Sequence, residues 1–171
     1  GADGAWKQIT HDSDQVKLGR SGRDDALSLR SRADAPRGKV LRLPLDTPEL
    51  SKATEIVPAS DAVVELLEPT AKTLYVGDLL GGPSQLRRFD LKGKPLGSID
   101  LPGLGTATGF TGHTRDTETF YIYTSYTTPP SVFRYDLAAG KNNLFRTPKV
   151  AFDPGQFETR QVFYASKDGT R

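Results

Sequence analysis

The sequence contains no cysteine and no methionine in 171 residues. Without cysteine it has no disulfide framework, no thiolate metal site and no cysteine nucleophile. It has only two histidines, His11 and His113, so general bases and nitrogen ligands are also scarce. No apolar run approaches the roughly 18 residues of a membrane-spanning helix, and no signal peptide is visible. We therefore expect a soluble protein, and the sequence does not distinguish cytoplasm from periplasm.

The charge is nearly balanced. The 23 basic and 21 acidic residues give a net charge of +2, and the basic residues are scattered among acidic ones. A nucleic-acid-binding protein usually concentrates positive charge on one face. We therefore expect neither nucleic acid nor a membrane among the partners.

The composition favours an all-β fold. Only 36% of the residues are hydrophobic, whereas glycine and proline, which form turns, number 17 and 12. Few apolar stretches have the length and period of a helix. At 171 residues the chain has the size of one ordinary domain.

The strand pattern is clearest in residues 117–141. Aromatic and β-branched residues alternate along 119–124, which is the period-2 pattern of a strand. The Thr-Thr-Pro-Pro at 127–130 ends this strand, because proline has no N–H for a ladder. A second short strand begins at Val132, and a turn at 136–140 closes with Gly140, since glycine adopts positive φ without strain.

The same arrangement occurs three times. Pro36, Pro83 and Pro130, at intervals of 47 residues, each precede a short apolar strand that ends in a turn with aspartate. A second series of prolines keeps the same phase, at Pro58, Pro102 and Pro148. A four-strand unit that recurs every 40 to 50 residues or so is typical of a β-propeller blade.

The repeat predicts three blades, at about 14–58, 61–101 and 103–147, preceded by one outer strand at 6–10. In each blade we expect the first strand to line the central channel and the last to form the rim. The predicted strands are 15–18, 26–30, 39–43, 53–57, 62–67, 73–78, 85–91, 96–100, 106–110, 119–124, 132–137 and 143–146.

Three blades cannot close a ring, because propellers have about 4–8 blades. The two end blades would each leave an apolar face bare. The chain also begins with glycine and has no methionine. We therefore interpret it as part of a longer protein. Residues 152–171 leave the repeat, and an alternating strand is predicted at 158–165, followed by an Asp-Gly hairpin tip.

These motifs resemble those of a known family, the prolyl oligopeptidases. Gly-Phe-Thr-Gly at 109–112, Asp-Thr-Glu-Thr-Phe-Tyr at 116–121 and Thr-Ser-Tyr-Thr-Thr-Pro at 124–129 resemble the last propeller blade of these enzymes. Residues 156–170, which end in Ser-Lys-Asp-Gly-Thr, resemble the segment that follows, with Phe157 where the family often has tyrosine. The likeness covers nearly the whole chain and is strongest from Leu101 onward.

The resemblance implies a seven-bladed propeller joined to an α/β-hydrolase domain. Such a serine peptidase hydrolyses short peptides after proline, while the propeller gates access and excludes folded proteins. This chain would supply the last three blades (1–151), then a crossing and the first hydrolase strand (152–171). The expected partners are the covalently linked hydrolase domain, the remaining blades and proline-containing peptides. Two alternatives stay open: a non-enzymatic binding or scaffold propeller, and an oligopeptidase that cuts after basic residues.

No catalytic, cofactor-binding or metal-binding residue is predicted in this chain, and no cofactor is expected. The Gly-x-Ser-x-Gly nucleophile motif is absent, and the segment 19–22 has the wrong spacing for it. We interpret both histidines as solvated loop residues and 11–14 as a turn capped by aspartate. The Arg87–Arg88 pair predicts an exposed strand face with one outward arginine. Tyr121, Tyr123 and Tyr126 are interpreted as packing between blades rather than stacking on a ligand.

Overall fold

The computed structural model describes residue 4 and residues 6–22, 24–111 and 116–169. In this part of the chain three four-stranded antiparallel sheets follow one another, and each is a simple up-and-down meander. The strands are β1 Val16–Ser21, β2 Ala26–Ser31, β3 Lys39–Pro44, β4 Thr54–Val57, β5 Val63–Pro69, β6 Thr73–Leu79, β7 Ser84–Asp90, β8 Pro95–Ile99, β9 Thr106–Thr111, β10 Glu118–Thr124, β11 Ser131–Asp136 and β12 Lys141–Arg146.

The three sheets are the predicted propeller blades. All twelve strands of the repeat are found, each within three residues of its predicted bounds. We call β1–β4 blade 1, β5–β8 blade 2 and β9–β12 blade 3. Three short 3-10 helices complete the described secondary structure, at Asp12–Asp14, Leu50–Lys52 and Pro154–Gln156. No helix among the described residues is long and apolar enough to cross a membrane.

The aspartate turns of the repeat have a common structure in blades 2 and 3. The Oδ1 atom of Asp90 accepts hydrogen bonds from the backbone N–H groups of Lys92 and Lys94, at 2.9 and 2.8 Å. Asp136 Oδ1 accepts equivalent bonds from Ala138 and Ala139, at 2.9 and 2.8 Å. These backbone donors lower the pKa of both carboxyl groups, because they favour the ionised form. Each turn therefore makes these hydrogen bonds within its own few residues.

Blade 2 is covered on both faces. In its central strand β6, five consecutive residues from Leu74 to Asp78 are buried, instead of every second one. Leu74 and Val76 pack toward blade 1, and Tyr75, between them, packs toward blade 3. The middle blade thus supplies one side of two hydrophobic cores.

The core between blades 1 and 2 is aliphatic. Its buried members are Val40, Ile56, Val57, Val64, Leu67, Leu74, Val76 and Phe89. A β-bulge in β5 makes this possible, because the pairing register shifts between Val64 and Leu66. Val64 and Leu67 therefore both join the core toward blade 1, while Leu66 packs against the other core.

The core between blades 2 and 3 is aromatic. Tyr75 lies with its ring centroid 5.0 Å from that of Phe110 and 6.1 Å from that of Tyr135. Tyr121 stacks on Phe133 at 5.5 Å. Such tilted and offset pairs add to the free energy gained by burial, about 0.5–1.5 kcal/mol for each pair. Burial raises the pKa of Tyr75 and of Tyr121 to about 12, because the phenolate cannot be solvated there.

A buried ion pair lies on the blade 1 side of blade 2. Asp78 is 1% exposed, and both of its carboxylate oxygens accept hydrogen bonds from Arg87, from Nε at 2.5 Å and from Nη2 at 3.0 Å. The Arg87 guanidinium also lies 5.2 Å from the centre of the Phe89 ring. This two-point geometry compensates the cost of burying a charge, which is several kcal/mol for an unpaired ion.

Two predicted strands lie outside the three sheets, and because both were expected to pair with residues beyond these three blades, they stay predictions. Residues 6–10 and 158–165 are described, but neither segment belongs to a sheet. Extended backbone becomes a strand only when a neighbour pairs with its N–H and C=O groups. No described strand pairs with either segment.

The outer face of blade 3 is bare, as the repeat predicts for an end blade. Phe120, Ile122 and Phe145 are exposed, and the rings of Phe120 and Phe145 lie 5.3 Å apart. Phe120 and Ile122 alternate along β10 with Tyr121 and Tyr123, which are buried on the opposite face. Blade 3 therefore has an apolar surface on each side, and only one side is covered here.

The turn between β7 and β8 provides a test of how tightly blades 1 and 2 pack. Gly93 has φ of +92°, and a Cβ atom there would lie 2.2 Å from the Ile56 carbonyl oxygen. We expect Gly93→Ala to lower the free energy of unfolding by about 2–4 kcal/mol, through backbone strain and displacement of β4. Urea unfolding measures this loss. Gly109→Ala is the matched control, because Gly109 has φ of +76° but no atom within 4 Å of its Cβ position. Equal losses in the two variants would contradict the packing argument.

The aromatic core provides a second test, because two of its tyrosines differ in their hydroxyl groups. Tyr121 Oη is buried without a hydrogen-bond partner, whereas Tyr135 Oη accepts a bond from Arg88 Nη1 at 3.3 Å. We expect Tyr121→Phe to leave the unfolding free energy unchanged or higher at pH 7, and Tyr135→Phe to lower it by about 1 kcal/mol.

The raised pKa of Tyr121 also predicts that the free energy of unfolding depends on pH. The folded pKa of Tyr121, about 12, lies above the ordinary value of 10.0. Between these values the unfolded state releases the proton and the folded state keeps it, so stability falls as the pH rises. Tyr121→Phe should weaken this fall when urea midpoints are compared at neutral and strongly alkaline pH. An unchanged pH dependence would show that Tyr121 ionises without unfolding.

Candidate functional site

One end of the three blades collects the loops that connect them. In every blade the turn between the second and third strands lies at the end where the next connection begins, because the strands are antiparallel. Backbone bonds also link strand ends to these loops: the Val64 N–H in β5 donates to Arg37 O, and the Ser84 N–H in β7 donates to Gly105 O, each at 2.8 Å. We call this end the loop face; it comprises residues 32–38, 58–62, 80–83, 100–105 and 125–130.

The chain that follows blade 3 returns to the loop face. Residues 159–163, which we call the strap, lie against the turns of blades 2 and 3. Gln161 Nε2 donates a hydrogen bond to the Gly81 carbonyl oxygen at 2.5 Å, and the hydroxyls of Thr159 and Thr127 lie 3.3 Å apart. The Phe163 ring lies 3.2 Å from the position that a Cβ atom of Gly81 would occupy. The strap therefore contacts both blades at once.

A groove of about 490 Å³ lies between the strap and the blade turns. Four short segments line it: 81–83 from blade 2, 104–106 from the connection to blade 3, 124–126 from blade 3, and 159–161 from the strap. This volume lies within the range of about 300–1,000 Å³ for ligand pockets.

Large apolar side chains are exposed at this end of the molecule. They include Leu80, Leu104, Tyr126, Val162 and Phe163. Tyr126 is 99% exposed, so its whole ring is in solvent. Exposed apolar side chains that gather in one region are typical of an interaction surface.

The predicted tyrosine set divides into two groups. Tyr121 and Tyr123 lie between blades 2 and 3, as predicted, whereas Tyr126 lies on the loop face. Tyr126 lies two residues after Thr124, the last residue of β10. It is therefore outside the strand whose alternating pattern buries the other two tyrosines. The two prolines that end the strand, Pro129 and Pro130, come soon after Tyr126, and they are the sequence feature that marks it as a turn residue.

The prediction for the two arginines is wrong. Neither Arg87 nor Arg88 is a free outward side chain. Arg87 binds the buried Asp78, and Arg88 Nη2 donates to the Leu96 carbonyl oxygen at 2.9 Å while its Nη1 donates to Tyr135. Adjacent strand residues point to opposite faces, and blade 2 has a neighbour on each face. Both arginines are therefore held by the protein itself.

The turn at 11–14 is structural, as predicted. Asp14 Oδ2 accepts a hydrogen bond from the His11 backbone N–H at 2.7 Å, and the His11 Nδ1 atom lies 3.1 Å from Gln8 Nε2. His113 lies outside the described residues. Among the described residues no group of three or more His, Cys, Asp or Glu side chains is placed to hold a metal ion. That this chain carries no catalytic, cofactor or metal residue remains a prediction.

Comparison with known proteins identifies the fold and the family. The model of the prolyl oligopeptidase N-terminal beta-propeller domain matches residues 3–148. The prolyl endopeptidases of Elizabethkingia miricola and Elizabethkingia meningoseptica are 33% and 30% identical, each over 86% of this chain. Prolyl oligopeptidase A of Amanita bisporigera is 29% identical over 97% of it. The chain spans about a fifth of the length of these relatives, 21 to 22%.

Solved structures agree with this match. A structure from a structural and mechanistic analysis of two prolyl endopeptidases superposes with a TM-score of 0.80 and 32% identity, over 90% of this chain and 23% of that one. Prolyl oligopeptidase B from Galerina marginata superposes with a TM-score of 0.75 at 23% identity, which shows the shared fold. The sequence repeat, the three blades and these comparisons together show that the chain belongs to the prolyl oligopeptidase family and matches its N-terminal β-propeller domain.

Proposed function

We propose that this chain is the propeller segment of a serine endopeptidase that hydrolyses short peptides after proline. In such an enzyme a serine attacks the peptide carbonyl, a histidine acts as general base, an aspartate orients the histidine, and an oxyanion hole stabilises the intermediate. Those groups would belong to a linked α/β-hydrolase domain. This chain contributes no catalytic residue in the proposal.

The observation that carries the proposal is the match to prolyl endopeptidases along most of the chain. It extends over 86% of the residues at 30 to 33% identity, and a related solved structure superposes with a TM-score of 0.80. The catalytic chemistry is inferred from the relatives. The chain's own motifs include no Gly-x-Ser-x-Gly elbow on a strand-to-helix turn.

The role of the segment in this proposal is gating. The blades form part of the channel wall, and the loop face forms part of the surface toward the hydrolase domain. Two features support this assignment: the chain after blade 3 returns to the loop face through the strap, and exposed apolar side chains gather there. A domain that packs on this face would shield those side chains from water.

Residues 152–160 are the proposed hinge of domain opening. The segment is exposed, and one turn of 3-10 helix at Pro154–Gln156 interrupts it, with Asp153 Oδ1 accepting a bond from the Gly155 N–H at 3.0 Å. Few contacts would have to break when this segment changes its backbone angles. The bonds of Thr159 and Gln161 to the blade turns favour a pivot before Thr159.

The proposal predicts that the purified 171-residue chain does not hydrolyse a chromogenic proline-containing peptide. The reason is that it would lack the nucleophile and the base. Joined to a following hydrolase domain with a Gly-x-Ser-x-Gly motif, it should release product from short proline peptides and leave folded proteins intact. Product release is measured by absorbance, with an otherwise identical peptide that carries alanine for proline as the control.

Three results would contradict this proposal. Hydrolysis by the chain alone, at a rate proportional to its concentration and unaffected by further purification, would place catalysis within these residues. A longer protein that cuts after basic residues and not after proline would favour the alternative oligopeptidase. A longer protein without any hydrolase motif would favour a binding propeller.

A further inference from the structure

We propose that the space between blades 2 and 3 is a binding site for a small, uncharged molecule with one aromatic ring. A cavity of about 200 Å³ lies there, and its walls come from both blades: β5, β6 and β7 on one side and β9 on the other. The inference goes beyond the proposed function and does not depend on it, because these walls belong to the two blades and not to a linked domain.

The cavity is present because two small residues lie in this part of the blade contact. Along β6 the positions that face blade 3 are Tyr75 and Gly77, since adjacent strand residues point to opposite faces. Tyr75 packs against Phe110, with ring centroids 5.0 Å apart. Gly77 has no side chain, and the β9 residue that lines the same space is Ala107. The aromatic core therefore ends here, and the two blades enclose a space that their own side chains do not fill.

The wall formed by β6 is tightly packed at Gly77. A Cβ atom on Gly77 would lie 3.0 Å from Leu66 Cβ and 3.4 Å from Leu86 Cδ2. Leu66 and Leu86 themselves line the cavity, so their side chains already press against the backbone of β6. A site whose walls are packed in this way needs little rearrangement to hold a ligand.

The buried lining of the cavity is apolar. Leu86 and Phe110 are 3% and 1% exposed, and Ala107 packs against the same core. The Ser84 hydroxyl oxygen, which is also on the wall, accepts a hydrogen bond from the Ala107 N–H at 3.0 Å. A ligand would therefore gain free energy mainly by transferring apolar surface out of water.

The charges beside the cavity favour an uncharged ligand. Two acidic residues, Asp78 and Glu65, are among the lining residues. Both carboxylate oxygens of Asp78 accept hydrogen bonds from Arg87, on the blade 1 side of the sheet. Glu65 is exposed to water. An anion would find no basic side chain among the described lining residues, and a cation would exchange its hydration for apolar walls.

The volume and the aromatic wall indicate a single ring. An engineered apolar cavity of about 150 Å³ binds benzene, whereas sites for drug-sized ligands begin at about 300 Å³. The cavity between the blades lies between these sizes. Phe110 contacts Tyr75 and Tyr135, with centroid distances of 5.0 and 6.0 Å. A ligand ring beside Phe110 would extend this series of aromatic pairs.

The opening of the cavity lies along the innermost strands. Three of the lining residues are exposed, Glu65 on β5 and Thr106 and Thr108 on β9. These two strands are the first of their blades and lie beside each other. In a closed propeller the first strands face the central channel. A ligand would therefore enter from the channel side, and not through the bare outer face of blade 3.

Solution NMR of the 171-residue chain, labelled with ¹³C on its methyl groups, tests the site. Benzene is titrated, and nuclear Overhauser effects from its protons to the protein are recorded. We expect them at the methyl groups of Leu66, Leu86 and Ala107. Cyclohexane has a similar size but no π-system and should bind about threefold more weakly. Benzoate carries a charge on the same ring and should give no such effects.

Ala107→Leu places a larger side chain in the cavity from the β9 side. We expect it to weaken benzene binding about tenfold or more, because the added side chain occupies the ligand's space. Ala138→Leu is the matched control, since it adds the same side chain at an exposed turn residue that does not line the cavity. The dissociation constant of this control should stay within about twofold of that of the unmodified chain.

Several results would overturn the proposal. They are Overhauser effects only at other methyl groups, equal affinity for benzene and either comparison ligand, absence of binding, or equal losses in the two leucine variants. If Ala107→Leu does not fold, the contacts to the three methyl-bearing residues in the unmodified chain still decide the question. Failure of the site leaves the proposed function unaffected, because no peptidase activity enters the measurement.

Discussion

The structure depends on covering both faces of each sheet. A four-stranded meander has two apolar faces and no interior of its own, so its stability comes from neighbouring blades. Both faces of blade 2 are covered, with Leu74 and Val76 buried toward blade 1 and Tyr75 buried toward blade 3. Blade 3 shows the same strand chemistry with one face open, where Phe120 and Ile122 remain exposed. The requirement for neighbours explains both the periodic sequence and the bare end face.

The same constraint separates stability from function. Residues between blades are committed to packing, which leaves the loops at the strand ends free to vary. Tyr126 lies two residues beyond Thr124, the last paired residue of β10, and is exposed, while Tyr123 is buried within the strand. The strap then adds a second layer on this face through Gln161 and Thr159. The groove, the proposed hinge and the proposed domain surface all lie outside the two hydrophobic cores, so a substitution there would remove no core contact.

The strands were predictable because their signals are local. Alternation, strand-ending prolines and turns built on Asp90 and Asp136 act within a few residues, and the turns make their hydrogen bonds internally. The directions of Arg87 and Arg88 were not predictable, because their partners lie on another strand and on the neighbouring blade. In the assembled blades Arg87 donates hydrogen bonds to Asp78, and Arg88 donates one to Tyr135, which lies 47 residues further along the chain.

Sequence by itself determined the order of the twelve blade strands, their bounds to within three residues and the phase of the repeat, because these follow from short-range chemistry repeated three times. The family followed from the resemblance of the sequence motifs. Only the tertiary structure decided which face of each strand is covered and that the strap meets Gly81 from 80 residues away. The physical reason is that a contact between distant segments depends on how blades stack, and no local pattern records that stacking.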